Sequence, residues 1–111
     1  MFPITRQGAV IVVGGKATIS AENLDELNRV LAECLNEPSP RVVLHLAEVP
    51  LFDGLGLEWL LEAAERCTER GGQLQLAAVS PLCRDILSVT GVGDRFERFD
   101  DVRAAVRSFT R

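Results

Sequence analysis

Apolar positions recur along this chain with two different periods, and the two alternate. Ala9–Val13 reads AVIVV, with a weaker extended stretch ahead of it near Pro3–Arg6. A β-branched run of that length fits a strand. Between Glu22 and Leu35 the residues Leu24, Leu27, Leu31, Cys34 and Leu35 fall on one face of a 3.6-residue period, so a helix is predicted there, with Ser20 just ahead as its candidate cap. Val42–Leu46 reads VVLHL, nearly continuous apolar, as in a strand covered on both faces. A second helix is predicted from Gly54 to Arg70, stopped by Gly71–Gly72, and QLQLAA over Gln73–Ala78 supplies the next strand. Ser80–Pro81 is the strongest helix start in the chain, because serine caps and the missing proline N–H costs nothing in a first turn. That helix ends before Gly91. Phe96–Phe99 reads as a short edge strand, and Asp100 or Asp101 opens a last helix carrying Val102, Ala105, Val106 and Phe109.

Successive strand–helix–strand units require crossover connections, which are right-handed and build a parallel sheet. The first two strands are close enough in sequence to join as a hairpin at one edge. The fold class is therefore α/β: a mixed, mostly parallel sheet of about five strands with four helices, in a single domain spanning residues 1–111. With 111 residues, 47% hydrophobic and 25% charged, the chain can bury one core and is not a disordered polymer.

Charge and cysteine usage narrow the function. Sixteen acids against twelve Lys and Arg give a net charge of −4, which argues against general nucleic-acid binding, since that needs a basic surface. No apolar run is long enough for a membrane span. The opening MFPITRQGAVIVVGG has neither a basic start nor a small-residue cleavage site, so a cytoplasmic location is expected. Cys34, Cys67 and Cys83 are far apart, odd in number and set among apolar residues, the pattern of reduced buried thiols. With a single histidine, His45, inside an apolar strand, neither a metal site nor a cofactor is expected. No serine or cysteine has a visible base, so an enzyme is not expected.

The stretch PLFDGLGLEWLLE from Pro50 to Glu62 holds the one concentration of unusual residues. Asp53 stands where a strand-to-helix loop meets a helix N-terminus, where a carboxylate accepts free N–H groups. Gly54 and Gly56 permit positive φ or close approach of another backbone. A dinucleotide loop would need a third glycine where Trp59 stands, Glu58 repels phosphate, and the Gly-Lys-Ser/Thr of a nucleotide loop is absent. With Leu57 at the centre, Leu60, Leu61, Ala64, Cys67 and Thr68 fall within about 80° and form the expected core face. Glu58, Glu62, Glu65 and Glu69 form a solvated stripe. Trp59 falls outside both, either packed against a neighbouring element or free to anchor a partner.

The order of elements and several short pieces resemble the STAS domain, the fold of bacterial anti-sigma-factor antagonists. The pieces are Ile11–Gly15, Arg41–Val49, Phe52–Leu57, Arg70–Leu74, Ser80–Pro81 and Leu87–Val92, and the resemblance as a whole runs over about residues 7 to 109. The resemblance implies a single STAS-like domain and a protein partner, an anti-sigma factor that is also a serine kinase and phosphorylates the residue after the loop aspartate. Asp53, Gly56 and Leu57 keep the family frame, but Gly54 holds the phosphoacceptor position and has no hydroxyl. His45 and Thr18 stand where the family often carries acids. The partner-binding surface is expected at Thr18, Ser20, Asp53, Gly54, Leu55, Gly56, Glu58 and Trp59, with no phosphorylation at Gly54. Such chains also serve as accessory subunits of ABC transporters or of stress-sensing assemblies. A small ligand in the loop crevice is a third reading, disfavoured for phosphates by Asp53 and Glu58.

Overall fold

The computed structural model describes residues 1–110. Five strands lie among them: β1 Ile4–Gln7, β2 Val10–Val13, β3 Arg41–His45, β4 Gln73–Ala77 and β5 Arg98–Phe99. They form one sheet in the order β1-β2-β3-β4-β5, antiparallel at β1–β2 and parallel elsewhere. The α-helices among the described residues are α1 Leu24–Cys34, α2 Gly54–Glu69, α3 Pro81–Thr90 and α4 Val102–Ser108. The mixed, mostly parallel architecture agrees with the reading from sequence.

From β2 onward the strands step across the sheet in one direction. Right-handed crossovers then put every connecting helix on the same face. Ile11, Val13, Val42, Leu44, Leu74 and Leu76 accordingly share one core with Leu27 and Leu31 of α1, Leu60 and Cys67 of α2, and Leu87 of α3. The alternate strand residues Val10, Val12, Val43 and Ala77 point the other way and are covered by α4 through Ala105, Val102, Val106 and Phe109. Burial on both faces is why the central strands read as unbroken apolar runs.

Two short 3-10 turns, Ala21–Asn23 and Val92–Arg95, were not expected. The second also shortens the edge strand. Phe96 is buried, and its N–H closes the turn onto the Gly93 carbonyl at 3.2 Å, which leaves only Arg98 and Phe99 to form β5. Asp101, not Asp100, caps α4, its Oδ1 accepting from the Ala104 N–H at 2.7 Å.

α2 ends in a paired C-cap. The Gly71 N–H donates to the Thr68 carbonyl and the Gly72 N–H to that of Cys67, each at 2.9 Å, with Gly71 at φ +80°, the left-handed conformation that such a cap requires. The buried face of this helix departs from expectation. Its buried residues are Gly56, Trp59, Leu60, Ala63 and Cys67, so the helix is rotated by roughly one residue, about 100°, from a face centred on Leu57. Leu57, Leu61 and Ala64 are only partly buried, and Thr68 is exposed. The cause is lateral packing: α2 touches α1 as well as the Val92–Arg95 turn, so apolar residues are needed on its flanks and not only beneath it. No helix among the described residues is long and apolar enough to cross a membrane.

Candidate functional site

Because β2 and β3 are parallel, the loops after them leave the sheet at the same end. Backbone bonds join the two loops. The Ile19 N–H donates to the Leu51 carbonyl at 3.1 Å and the Asp53 N–H to the Ile19 carbonyl at 3.3 Å, which makes Ile19–Phe52 an isolated parallel bridge.

Asp53 locks this junction. Its Oδ1 accepts from the Gly56 N–H at 2.7 Å and caps α2, while its Oδ2 accepts from the Ala21 N–H at 3.0 Å and caps the 3-10 turn of the other loop. One carboxylate thus satisfies free donors at two helical starts. The Ala21 N–H first, and the Gly56 N–H next, hold this carboxyl below its ordinary value, because both bonds favour the charged form.

Ser20, expected as a cap, makes no side-chain cap bond. Asp53 does that work across the loop junction, and the Ser20 hydroxyl instead shares a 2.7 Å hydrogen bond with the Thr18 hydroxyl. The Asn23 side-chain amide donates to the Thr18 carbonyl at 2.7 Å and stiffens the same loop.

The two glycines have different causes. A Cβ on Gly56 would lie 1.7 Å from the Ile19 carbonyl oxygen, so only glycine lets the loops touch. A Cβ on Gly54 would meet nothing within 4 Å among the described residues. Gly54 is the exposed first residue of α2 and its φ is not positive, so the fold places no demand for glycine there.

Of the expected surface residues, Gly54, Leu55 and Glu58 are exposed, and Thr18 and Asp53 are half-buried beside them. Leu55 keeps 48% of its surface in solvent. Three expectations need correction. Trp59 is only 5% exposed and lies in the main core, because α2 turns that flank toward the sheet and α1. Ser20 is 8% exposed, its hydroxyl bonded to that of Thr18. Gly56 is buried under the Ile19 carbonyl, so it shapes the surface from beneath.

Leu82, in the first turn of α3, is 52% exposed and was not foreseen. Its only signal in the sequence is that it falls off the helical spacing of Cys83 and Leu87. α3 is tied to the β3–α2 loop by Ser80, whose hydroxyl donates to the Val49 carbonyl at 2.8 Å and so makes no cap bond to its own helix. The Cys83 thiol donates to the same carbonyl at 3.3 Å. The part played by Ala21 was also missed, since a backbone N–H carries no signature in the sequence.

All three thiols are buried and unbridged. Burial pushes Cys34 up to about 12 and Cys67 to about 11, and raises Cys83 as well. His45 sits half-buried at the carboxyl end of β3. Among the described residues no three His, Cys, Asp or Glu side chains stand together as metal ligands.

Residues 2–105 match the family model of the STAS domain. The chain belongs to the STAS domain family. No curated protein sequence matches it. Among solved structures, this STAS domain is similar to a Thermotoga maritima protein described as an anti-sigma factor antagonist, with a TM-score of 0.91 and 21% identity over 99% of this chain and 95% of that one. An anti-sigma factor antagonist from Mycobacterium paratuberculosis gives 0.87 and 19%, over 100% and 94% of the two chains. A sulfate transporter family protein from Wolinella succinogenes gives 0.79 and 24%, over 94% and 87%. At these identities the likeness is one of fold.

Proposed function

We propose that this STAS domain is a protein-docking module of the anti-sigma-factor-antagonist type, whose partner is an anti-sigma factor with serine-kinase activity, and that its docking state is not set by phosphorylation at residue 54. The surface consists of Gly54, Leu55 and Glu58 on the first turns of α2, with Asp53 and Thr18 beside them. The observation that carries this reading is the double cap by Asp53. It fuses two loops into one preorganised surface and sets the exposed Leu55 upon it, and a rigid surface loses little entropy on binding. Gly54 keeps the phosphoacceptor place without a hydroxyl, and the geometry leaves that place open.

The test uses Gly54→Ser, which the open, helical position accommodates. Incubated with its serine-kinase anti-sigma factor and ATP, the wild-type domain takes up no phosphate and stays bound. Gly54→Ser takes up phosphate and dissociates, because roughly −1.5 to −2 charges then enter a close-fitting interface. Stoichiometric labelling of the wild-type protein at Thr18, Ser20 or Ser80 with release of the kinase would overturn the insensitivity. Co-purification with a transporter ATPase in place of such a kinase would overturn the choice of partner.

A further inference from the structure

The helix that follows β4 packs on one face of the sheet, and the helix that follows β5 packs on the other. Neighbouring parallel strands whose connections diverge in this way leave a crevice outside their carboxyl ends, the place where open α/β sheets bind ligands. This molecule has a cavity there. It measures about 300 Å3 and is lined by Ala78 and Val79 after β4, Arg84 of α3, Arg98 and Phe99 of β5, and Asp100 just beyond. It lies apart from the Asp53 junction, which belongs to the β2 and β3 loops.

Two features set this crevice apart from a gap in the packing. First, the ion pairs among the described residues are Met1 amino–Glu26, Arg6–Glu37 and Lys16–Glu48, so Arg84 and Arg98 both line the cavity without a carboxylate partner. In a chain of net charge −4, two guanidiniums against the single Asp100 carboxylate leave the lining of this cavity positive on balance. Second, Ala78 on the cavity wall has φ +53° and is the one non-glycine residue with positive φ among the described residues. Its N–H is held by the Phe99 carbonyl at 2.9 Å, so the strained conformation is fixed by the junction of the two strands. Strain of this kind collects at ligand sites.

We propose that this crevice binds a small organic phosphate. The guanidinium fork matches phosphate oxygens in paired hydrogen bonds, and two forks match a dianion. A phosphate group occupies only part of the cavity. The remaining space, beside Phe99 and Val79, takes an organic body, and the Asp100 carboxylate accepts a hydroxyl or amine proton from that body while disfavouring a second anionic group.

Calorimetric titration of the full chain at low salt with ribose 5-phosphate, inorganic phosphate and ribose tests the assignment. Saturable millimolar or tighter binding of ribose 5-phosphate is expected, with none for ribose. Arg84→Gln and Arg98→Gln should each weaken it by about tenfold or more, the loss of one charge-assisted fork. Asp100→Asn should weaken ribose 5-phosphate but not inorganic phosphate. Arg98 also packs over Gly93, so Arg98→Lys serves where Arg98→Gln perturbs the circular dichroism, and Arg84→Gln is read in any case. Absence of saturable binding by ribose 5-phosphate, or equal binding by the wild type and Arg84→Gln, would overturn the proposal.

Discussion

Gly54 and Gly56 stand two residues apart and answer to different causes, which makes them a sensitive pair. Gly56→Ala drives a Cβ into the Ile19 carbonyl and should cost at least about 3 kcal/mol, beyond ordinary overpacking because the obstacle is backbone. Gly54→Ala meets open space and should stabilise by up to about 1 kcal/mol through lost chain freedom in the unfolded state. Denaturant melts of the two variants check both signs. Asp53 adds a pH dependence. Its folded-state value is lowered from 3.8, so its contribution is complete well above that pH and is lost as the pH falls through the folded-state value. The acid limb of the stability curve should therefore flatten in Asp53→Asn. An unchanged limb would mean that the carboxylate is not holding the two loops.

At the scale of elements, α2 shows how packing on several sides rotates a helix. A face centred on Leu57 would suffice for a helix lying on the sheet alone. With α1 on one flank and the Val92–Arg95 turn on the other, Trp59 is drawn inward and Leu57 shifts to the margin. The Trp59 indole N–H is buried with no hydrogen-bond partner among the described residues, so this side chain is held for its bulk. Trp59→Ala should cost about 3–5 kcal/mol. Trp59→Phe should cost well under that, since the ring keeps much of the contact and a buried unpaired donor, itself a penalty of about 1–3 kcal/mol, is removed. Equal losses in urea melts would mean that the N–H does have a partner. The helix starts teach a related lesson. Ser20 and Ser80 carry the chemistry of caps, yet the distant Asp53 carboxylate caps the turn after Ser20, and the Ser80 hydroxyl donates to the distant Val49 carbonyl.

At the scale of the molecule, the three thiols report on cooperativity. Cys34, Cys67 and Cys83 all lie in the core between the sheet and α1–α3, and with Cys34 near 12 and Cys67 near 11 these two stay protonated at neutral pH. The thiolate is the reactive form, so all three should react with an aromatic disulfide reagent only at the rate of global unfolding. Rapid labelling of any one in native buffer would contradict this packing. The same scale governs the two candidate sites. The proposed docking surface rests on β2 and β3 being parallel neighbours, and the crevice exists because the connections after β4 and β5 part to opposite faces.

The amino-acid order determined the strands, the helices, their alternation and hence the sheet, because periodicity and turn chemistry are local properties. It also singled out Asp53 and the glycines near it, since an acid and two glycines at a helix mouth are visible without neighbours. Tertiary structure alone decided that Asp53 reaches Ala21, that Trp59 is internal, that the Ser80 hydroxyl bonds to the Val49 carbonyl, and that Arg84 and Arg98 line one cavity. Each of these depends on residues more than a dozen positions apart or on which flank of a helix finds a neighbour, and no local pattern carries that information.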